Sequence, residues 1–389
     1  MRINKLQLAF LTLAMVAIGF VVESFADDAP AKVDLPKVKV ATARAADFLK
    51  KAQAEDGSFS GRSGPGVTAI VAAGLLRSGQ AVDDATVAKA FKYLESNRHE
   101  DGGVYQSGSN HKNYETCLAI TAFKEANRDR RYDDLLAAAE KFVKKEQWDE
   151  DEGKSEDNVF YGGAGYGSAS RPDLSNTGFL LDALHELGRG DDDPAIQKAL
   201  IFVSRCQNLK SKYNTEPFAD KVNDGGFIYS PAEGGQSPAG KTDDGGLRSY
   251  GSMTYAGFKS MIYAGVKKDD PRVKAAYEWI QKHYTLDENP GMGPQGLYYY
   301  YHTFAKALDA MGEDKFVDSA GKSHNWRAEL ADKYIAAQKP DGSWTNDNKR
   351  WMENDPNLVT AYGLLCLSYC EHKSPPVDHV LSPPPRKRN

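Results

Sequence analysis

Apolar residues recur along most of the chain at i, i+3, i+4, the period of one face of a helix. The motif Ala-x-x-aromatic-aliphatic carries that period at Ala45/Phe48/Leu49, Ala90/Tyr93/Leu94, Ala139/Phe142/Val143, Ala199/Phe202/Val203, Ala276/Trp279/Ile280 and Ala331/Tyr334/Ile335. Asp193-Pro194 and Asp270-Pro271 mark two of the starts, with a side-chain acceptor at the cap and proline at the first helical position. A second, more apolar segment follows each of the first. Thr68, Thr116, Thr177, Thr254 and Thr360 stand at equivalent places near its start, with Tyr301 in the fifth copy. Eleven residues later Gly79, Asn127, Gly188, Gly265 and Gly312 supply a left-handed stop; the sixth copy has Glu371 there. Stretches such as Val67–Leu76 are apolar nearly all round, which predicts burial on every side.

Six amphipathic and six apolar helices therefore alternate. Each pair buries its apolar surface only against its neighbours. The economical arrangement is all-α, an (α/α)6 double-ring toroid of six outer and six inner helices over residues 40–372, closed so that no repeat needs an end cap. Asp56-Gly57, Asp101-Gly102, Asp224-Gly225 and Asp341-Gly342 lie between an outer helix and the next inner one. They read as turns with glycine at positive φ, not as acids. The third and fourth copies carry insertions, Trp148 to Pro172 and Asn208 to Ser249. Both fall at the N-terminal end of the inner helices, where long loops on a rigid scaffold carry function.

Composition narrows the class. Of 389 residues, 41% are hydrophobic and 26% charged, enough for a sizeable core and unlike a disordered or fibrous chain. The net charge of −5 comes without a basic stripe, which argues against a nucleic-acid partner. Arg2 and Lys5, the apolar run Leu6–Val22 and Ser24-Phe25-Ala26 read as a signal peptide over 1–26, with a membrane anchor as the alternative. A short linker over 27–39 would follow. Residues 373–389, rich in proline and ending Arg386-Lys387-Arg388-Asn389, read as a disordered tail. The expected product is an exported domain, periplasmic or secreted after cleavage near Ala26, without a transmembrane segment. Cys117, Cys206, Cys366 and Cys370 are expected as buried free thiols; a disulfide, or a metal held with His372, are the alternatives. Their spacing matches no strong zinc pattern, so neither metal nor cofactor is expected.

Gln338-Lys-Pro-Asp-Gly-Ser-Trp344, with Gln53-Ala-Glu-Asp-Gly-Ser-Phe59 as a slightly degenerate copy, resembles the Gln-Trp repeat of squalene–hopene cyclases. The six-fold pairing is similar to the α/α toroid of terpenoid cyclases and protein prenyltransferase β subunits. That resemblance covers roughly residues 40–372 and implies a single barrel and isoprenoid chemistry. Cyclases of the family that protonate an alkene or epoxide use Asp-x-Asp-Asp-Thr at an inner-helix start, the middle Asp donating the proton. The matching stretch is Asp173-Leu174-Ser175-Asn176-Thr177, where Ser175 stands in the donor's place. A serine hydroxyl cannot protonate an isolated double bond. The prenyltransferase branch holds zinc with Asp, Cys and His, and no Asp-x-Cys pair occurs; Glu115, Cys117 and His111 are the nearest approach. The Gly-Cys-Gly-Glu-Gln thioester motif is also absent.

Candidate site residues follow, each with two readings. Asp173 and Asp355 stand at inner-helix starts as acids or as helix caps. Asp243-Asp244 is an acid pair or a loop turn. Tyr298, Tyr300, Tyr301 and His302, with Tyr250 and Tyr255, form an aromatic ligand wall or ordinary core, and at least two of the four tyrosines from Tyr298 to Tyr301 should face a cavity. Arg62, Arg171, Arg248 and Arg350 precede inner helices, whose N-termini together favour an anion; the alternative is solvated loop arginines. Three functions compete. The first is a cavity for an apolar or isoprenoid small molecule, with a divergent cyclase as its enzyme version. The second is a carbohydrate-active (α/α)6 enzyme using a carboxylate pair. The third is a non-catalytic module for a protein partner.

Overall fold

The computed structural model describes residues 32–371 apart from 168 and 169. The expected signal peptide (1–26), the tail (373–389) and His372 lie outside the described residues. Helix α1 spans Leu35–Ala52 and begins inside the stretch expected as linker. Asp34 accepts from the Lys37 N–H and Pro36 sits in the first turn, so the start is set before residue 40. The other outer helices are α3 (Ala85–Ser96), α5 (Asp133–Lys145), α7 (Pro194–Arg205), α9 (Pro271–Lys282) and α11 (Trp326–Ala337). The inner ones are α2 (Pro65–Arg77), α4 (Lys112–Ala126), α6 (Leu174–Glu186), α8 (Gly251–Tyr263), α10 (Leu297–Met311) and α12 (Pro356–Glu371). A short antiparallel hairpin, β1 (Lys315–Val317) with β2 (Ser323–Asn325), decorates the fifth copy.

Each inner helix packs on the next, and α12 packs back on α2, so the ring closes. Outside it, α1 rests against α11 and α12. The difference between the rings is the difference in patterning. Outer α9 buries one stripe, Val273, Ala276, Trp279 and Ile280. Inner α8 buries every residue from Gly251 to Ile262. Among the described residues no helix is long and apolar enough to cross a membrane.

Three side-chain devices repeat at the connections. The marker threonine of the inner helix accepts the backbone N–H of the incoming loop in five copies: Phe59 to Thr68, Val104 to Thr116, Ala164 to Thr177, Phe227 to Thr254 and Trp344 to Thr360. In the fifth, Tyr301 reaches further and donates to the Leu286 carbonyl. A glutamine ending an outer helix donates both to its own loop and to the start of the next outer helix. Gln53 bonds the Gly57 and Thr86 carbonyls, Gln147 those of Gly162 and Ala195, and Gln207 those of Gly225 and Arg272. Gln338 bonds the Gly342 carbonyl and, at 2.8 Å, that of Ala41 on α1, joining last repeat to first. The Asp-Gly pairs are turns: Asp56, Asp101, Asp224 and Asp341 each accept the N–H two residues on.

Gly79, Gly188, Gly265 and Gly312 take the left-handed stops. Asn127 does not; it lies at φ −85°. Its amide is spent on the start of α5, accepting from the Tyr132 N–H and donating to Asp133, and Arg130 takes the left-handed turn instead, at φ 66°. The four cysteines are buried and free, and burial pushes their thiols up from the ordinary range.

Two glycines separate left-handed backbone from close packing. Gly79 and Gly342 have φ of 93° and 94°. A Cβ on Gly79 meets open space, whereas one on Gly342 would stand 2.3 Å from the Arg44 carbonyl oxygen of α1. Gly79→Ala should cost about 1–2 kcal/mol, the strain of a left-handed L-residue. Gly342→Ala should cost at least about 2 kcal/mol more, because backbone must move. Equal losses in urea unfolding would show that the close approach carries no weight.

Candidate functional site

A cavity of about 560 Å³ lies at the N-terminal end of the inner helices. Its walls follow the repeat. The residue two before each marker lines it in five copies, as Tyr114, Ser175, Ser252, Tyr299 and Leu358, and the residue two after does so in Phe179 and Tyr362. Both insertions reach it, the third copy through Tyr166 and the fourth through Tyr229. Trp351 and Met352, in the turn before α12, complete a partly exposed rim with Tyr166. The rings meet edge-on in several places: Tyr114 with Phe179 at 5.1 Å and 82°, and Tyr114 with Tyr166 at 6.0 Å and 62°.

The expected tyrosine wall is only partly there. Tyr250 lines the cavity. Of the four consecutive tyrosines only Tyr299 does. Tyr300 and Tyr301 turn the other way and donate to the Thr285 and Leu286 carbonyls at 2.7 and 2.5 Å. Tyr298 packs against Tyr334, and Tyr255 against Tyr300 and Phe304. These four belong to the core between the rings. The reason is helical phase: about 100° per residue sends neighbours to different sides, and the side towards the axis is taken by Tyr299, His302 and Lys306. His302 lies deeper, in a second cavity of about 20 Å³. Sequence reasoning missed Tyr114, Phe179, Tyr299 and Tyr362. The fixed offset from the marker residue was the signal that would have found them.

The four expected acids, Asp173, Asp243, Asp244 and Asp355, fall off the cavity surface. Asp173 is 2% exposed and caps α6, accepting the Asn176 N–H at 2.9 Å and its amide at 2.8 Å, with a further bond from Tyr229. It is not on the cavity surface; Tyr166 and Tyr229 are. Burial pushes its carboxyl up to about 6, against those hydrogen bonds. Ser175 does reach the cavity, its hydroxyl 2.8 Å from that of Tyr299. Asp243 and Asp244 sit exposed in a surface turn away from the cavity, Asp244 taking the Thr242 hydroxyl and the Gly246 N–H. Asp355 caps α12 through the Asn357 N–H at 2.8 Å and does not line the cavity. Each of these is a turn or cap, because a carboxylate among unpaired N–H groups satisfies them.

The mouth is not left open for an anion. Glu353, fully buried, takes the Tyr299 N–H at the start of α10 (2.8 Å) and the Asn346 amide (2.7 Å). Glu115 takes the Gln106 N–H and the Ser109 hydroxyl, both at 2.8 Å. Both line the cavity, and burial holds both carboxyls above the usual range. Of the arginines only Arg62 stands at the rim. Arg171 pairs with Glu233 at 3.2 Å and Arg350 stacks over Trp351. Arg248 is exposed, bonds the Lys241 carbonyl and lies off the cavity.

A closed double ring of helices around an axial aromatic cavity defines a toroid of the terpenoid-cyclase type. The squalene-hopene cyclase C-terminal domain model matches residues 27–116 and 66–227, more than half of the chain, and the chain belongs to that family. Among solved structures it is similar to a variant of the type II terpene cyclase MstE from Scytonema in complex with merosterolic acid A. The identity is 15%, the match covers 86% of this chain and 97% of that one, and the TM-score is 0.52. The apo form of MstE is similar at 14% identity over 87% and 98% of the two chains, with a TM-score of 0.50. At these identities the likeness is one of fold. No curated protein gives a significant match.

The Asp173 environment sets a pH dependence with a definite sign. The carboxyl ionises near 6 when folded and near 4 when unfolded, so between those values only the folded chain keeps the proton. Stability from this group is full below about pH 4 and falls as pH rises to about 6, by up to about 3 kcal/mol. Asp173→Asn keeps a capping side chain and should flatten that slope in unfolding measured at pH 4, 5 and 6.5. A slope that survives the substitution would place its origin in another group.

Proposed function

We propose that this protein binds an isoprenoid or another apolar small molecule in the axial cavity, without the proton-donating step of its cyclase relatives. The observation that carries this is the aromatic part of the wall: Tyr114, Tyr166, Phe179, Tyr229, Tyr250, Tyr299 and Tyr362 all line the cavity of about 560 Å³. That volume falls within the range of small-molecule sites, roughly 300–1,000 Å³. Aromatic faces offer apolar area with little entropy to lose, and ring edges oriented by their neighbours keep the cavity from collapsing. The fold relative MstE holding its product supports a ligand in such a place. Against a cyclisation, Ser175 faces the cavity where the family resemblance places the acid, and Asp173, Asp243, Asp244 and Asp355 are off its surface. Binding is further proposed to occur outside the cytosol, on the strength of the signal-like residues 1–26; the mature form should begin at Asp27 by intact mass.

The protein purified from its own host should yield a bound lipid on organic extraction and mass spectrometry, and added squalene should raise the melting temperature while being recovered unchanged. Tyr299→Ala should weaken squalene binding several-fold, whereas Tyr299→Phe, which keeps the wall and loses only the Ser175 hydrogen bond, should bind as before. Tyr300→Ala is the control for packing. It should cost about 3–5 kcal/mol of stability and leave the affinity of the folded protein intact. A clean extract with no thermal shift would overturn the binding reading, and a cyclised product would overturn its non-catalytic half.

A further inference from the structure

Below the aromatic chamber the same helix faces continue along the ring axis. Phe179 and Tyr362 border both the large cavity and the second, smaller one, so they form the constriction between them. From Tyr299 to Lys306 on α10, and from Ser175 to Asp182 on α6, the descent is about 10 Å. The surroundings change over that distance from rings to charges.

Nearly all of those charges are committed. Asp182 holds Lys306 at 2.8 Å and also Lys259. Arg77 spans Glu125 at 2.5 Å, Glu186 at 2.9 Å and the Tyr369 hydroxyl at 2.8 Å. His302 is the exception. It is 7% exposed and lines the small cavity, and its Nδ1 has no hydrogen-bond partner among the described residues. A buried polar atom left unpaired is costly, and the small cavity that the His302 ring borders, about 20 Å³, holds one water or one hydroxyl. Burial first, then the neighbouring Lys306, Lys259 and Arg77, keep the ring neutral against the pull of Asp182. A neutral imidazole offers one donor and one acceptor, the complement of a hydroxyl group.

We infer that this inner chamber is a binding subsite for the terminal hydroxyl of an isoprenoid alcohol, which enters oxygen-first past Phe179 and Tyr362 and hydrogen-bonds to His302 Nδ1 while its chain fills the aromatic chamber. The inference rests on the apolar-ligand reading and adds to it the class and direction of the ligand. Wide chamber and narrow chamber then recognise different ends of one molecule. Apolar area holds the chain, and a single buried polar atom selects the end that can pair with it, since a site built to hydrogen-bond an oxygen disfavours the analogue that lacks it.

The test uses two probes of similar shape, farnesol and its hydroxyl-free counterpart β-farnesene, titrated into the full chain and followed by tryptophan fluorescence. Farnesol should bind roughly 3–10-fold more tightly, the worth of one buried hydrogen bond. His302→Leu should erase that preference by weakening farnesol alone, and His302→Gln, which can still pair, should recover part of it. Equal affinity of the wild-type protein for both probes would overturn the inference and leave a water as the occupant of the small chamber. A preference that survives His302→Leu would overturn it as well, by placing the hydroxyl at the rim. Binding of neither probe would overturn the ligand reading together with it. The wild-type comparison stands even if the leucine variant does not fold.

Discussion

The inner helices cannot face water on any side, and the architecture follows from that constraint. A helix such as α8, buried from Gly251 to Ile262, has to be covered by an inner helix on each flank as well as by outer helices behind it. Six such helices in an open row would leave two of them with a bare flank. Closing the row by packing α12 on α2 covers both, and the Gln338 bond to the Ala41 carbonyl repeats at the seam what Gln53, Gln147 and Gln207 do within the ring. Closure is hydrophobic in origin and hydrogen-bonded in register.

Register matters because the same connections shape the mouth. Each marker threonine holds the incoming loop at a fixed height on its inner helix, so the backbone at the rim is built alike in most copies. What the loop does before it reaches that threonine is free. The two long insertions use this freedom to place Tyr166 and Tyr229 on the cavity, while Asp243 and Asp244 of the second remain exposed. A rigid attachment point with a variable approach lets a repeat protein build a specific site on one face.

Along the axis the chemistry changes layer by layer at fixed offsets from the marker. Two before and two after it stand Tyr114, Tyr299, Phe179 and Tyr362 of the large cavity; five after it stand Thr121, Asp182 and Lys306; nine after it stand Arg77, Glu125, Glu186 and Tyr369. Buried ion pairs are poor sources of stability, since desolvation offsets most of the attraction. Their place here is deeper along the inner helices, away from the aromatic residues of the large cavity. Ser175 belongs to the uppermost layer, where its hydroxyl and that of Tyr299 form a neutral pair beside the cavity.

The sequence by itself determined the number and order of the helices, which ring each belongs to, the Asp-Gly turns, the glycine stops and the buried thiols, because all of these are local periods or local backbone geometry. It also showed that Asp173 and Asp355 sit where helices start, though not whether they cap or catalyse. What it did not determine was the direction of each inner side chain. A helix buried all round has almost no apolar-polar contrast between its sides, so nothing in the run Tyr298 to Tyr301 separates the ring that lines the cavity from those that pack outward. Only the tertiary structure decided that Tyr299 faces the axis while Tyr300 and Tyr301 bond the Thr285 and Leu286 carbonyls, and that Glu115 and Glu353, with Arg62 alone of the expected arginines, border the mouth. The physical reason is that inward and outward are properties of the closed ring, and they come into being only when the last helix meets the first.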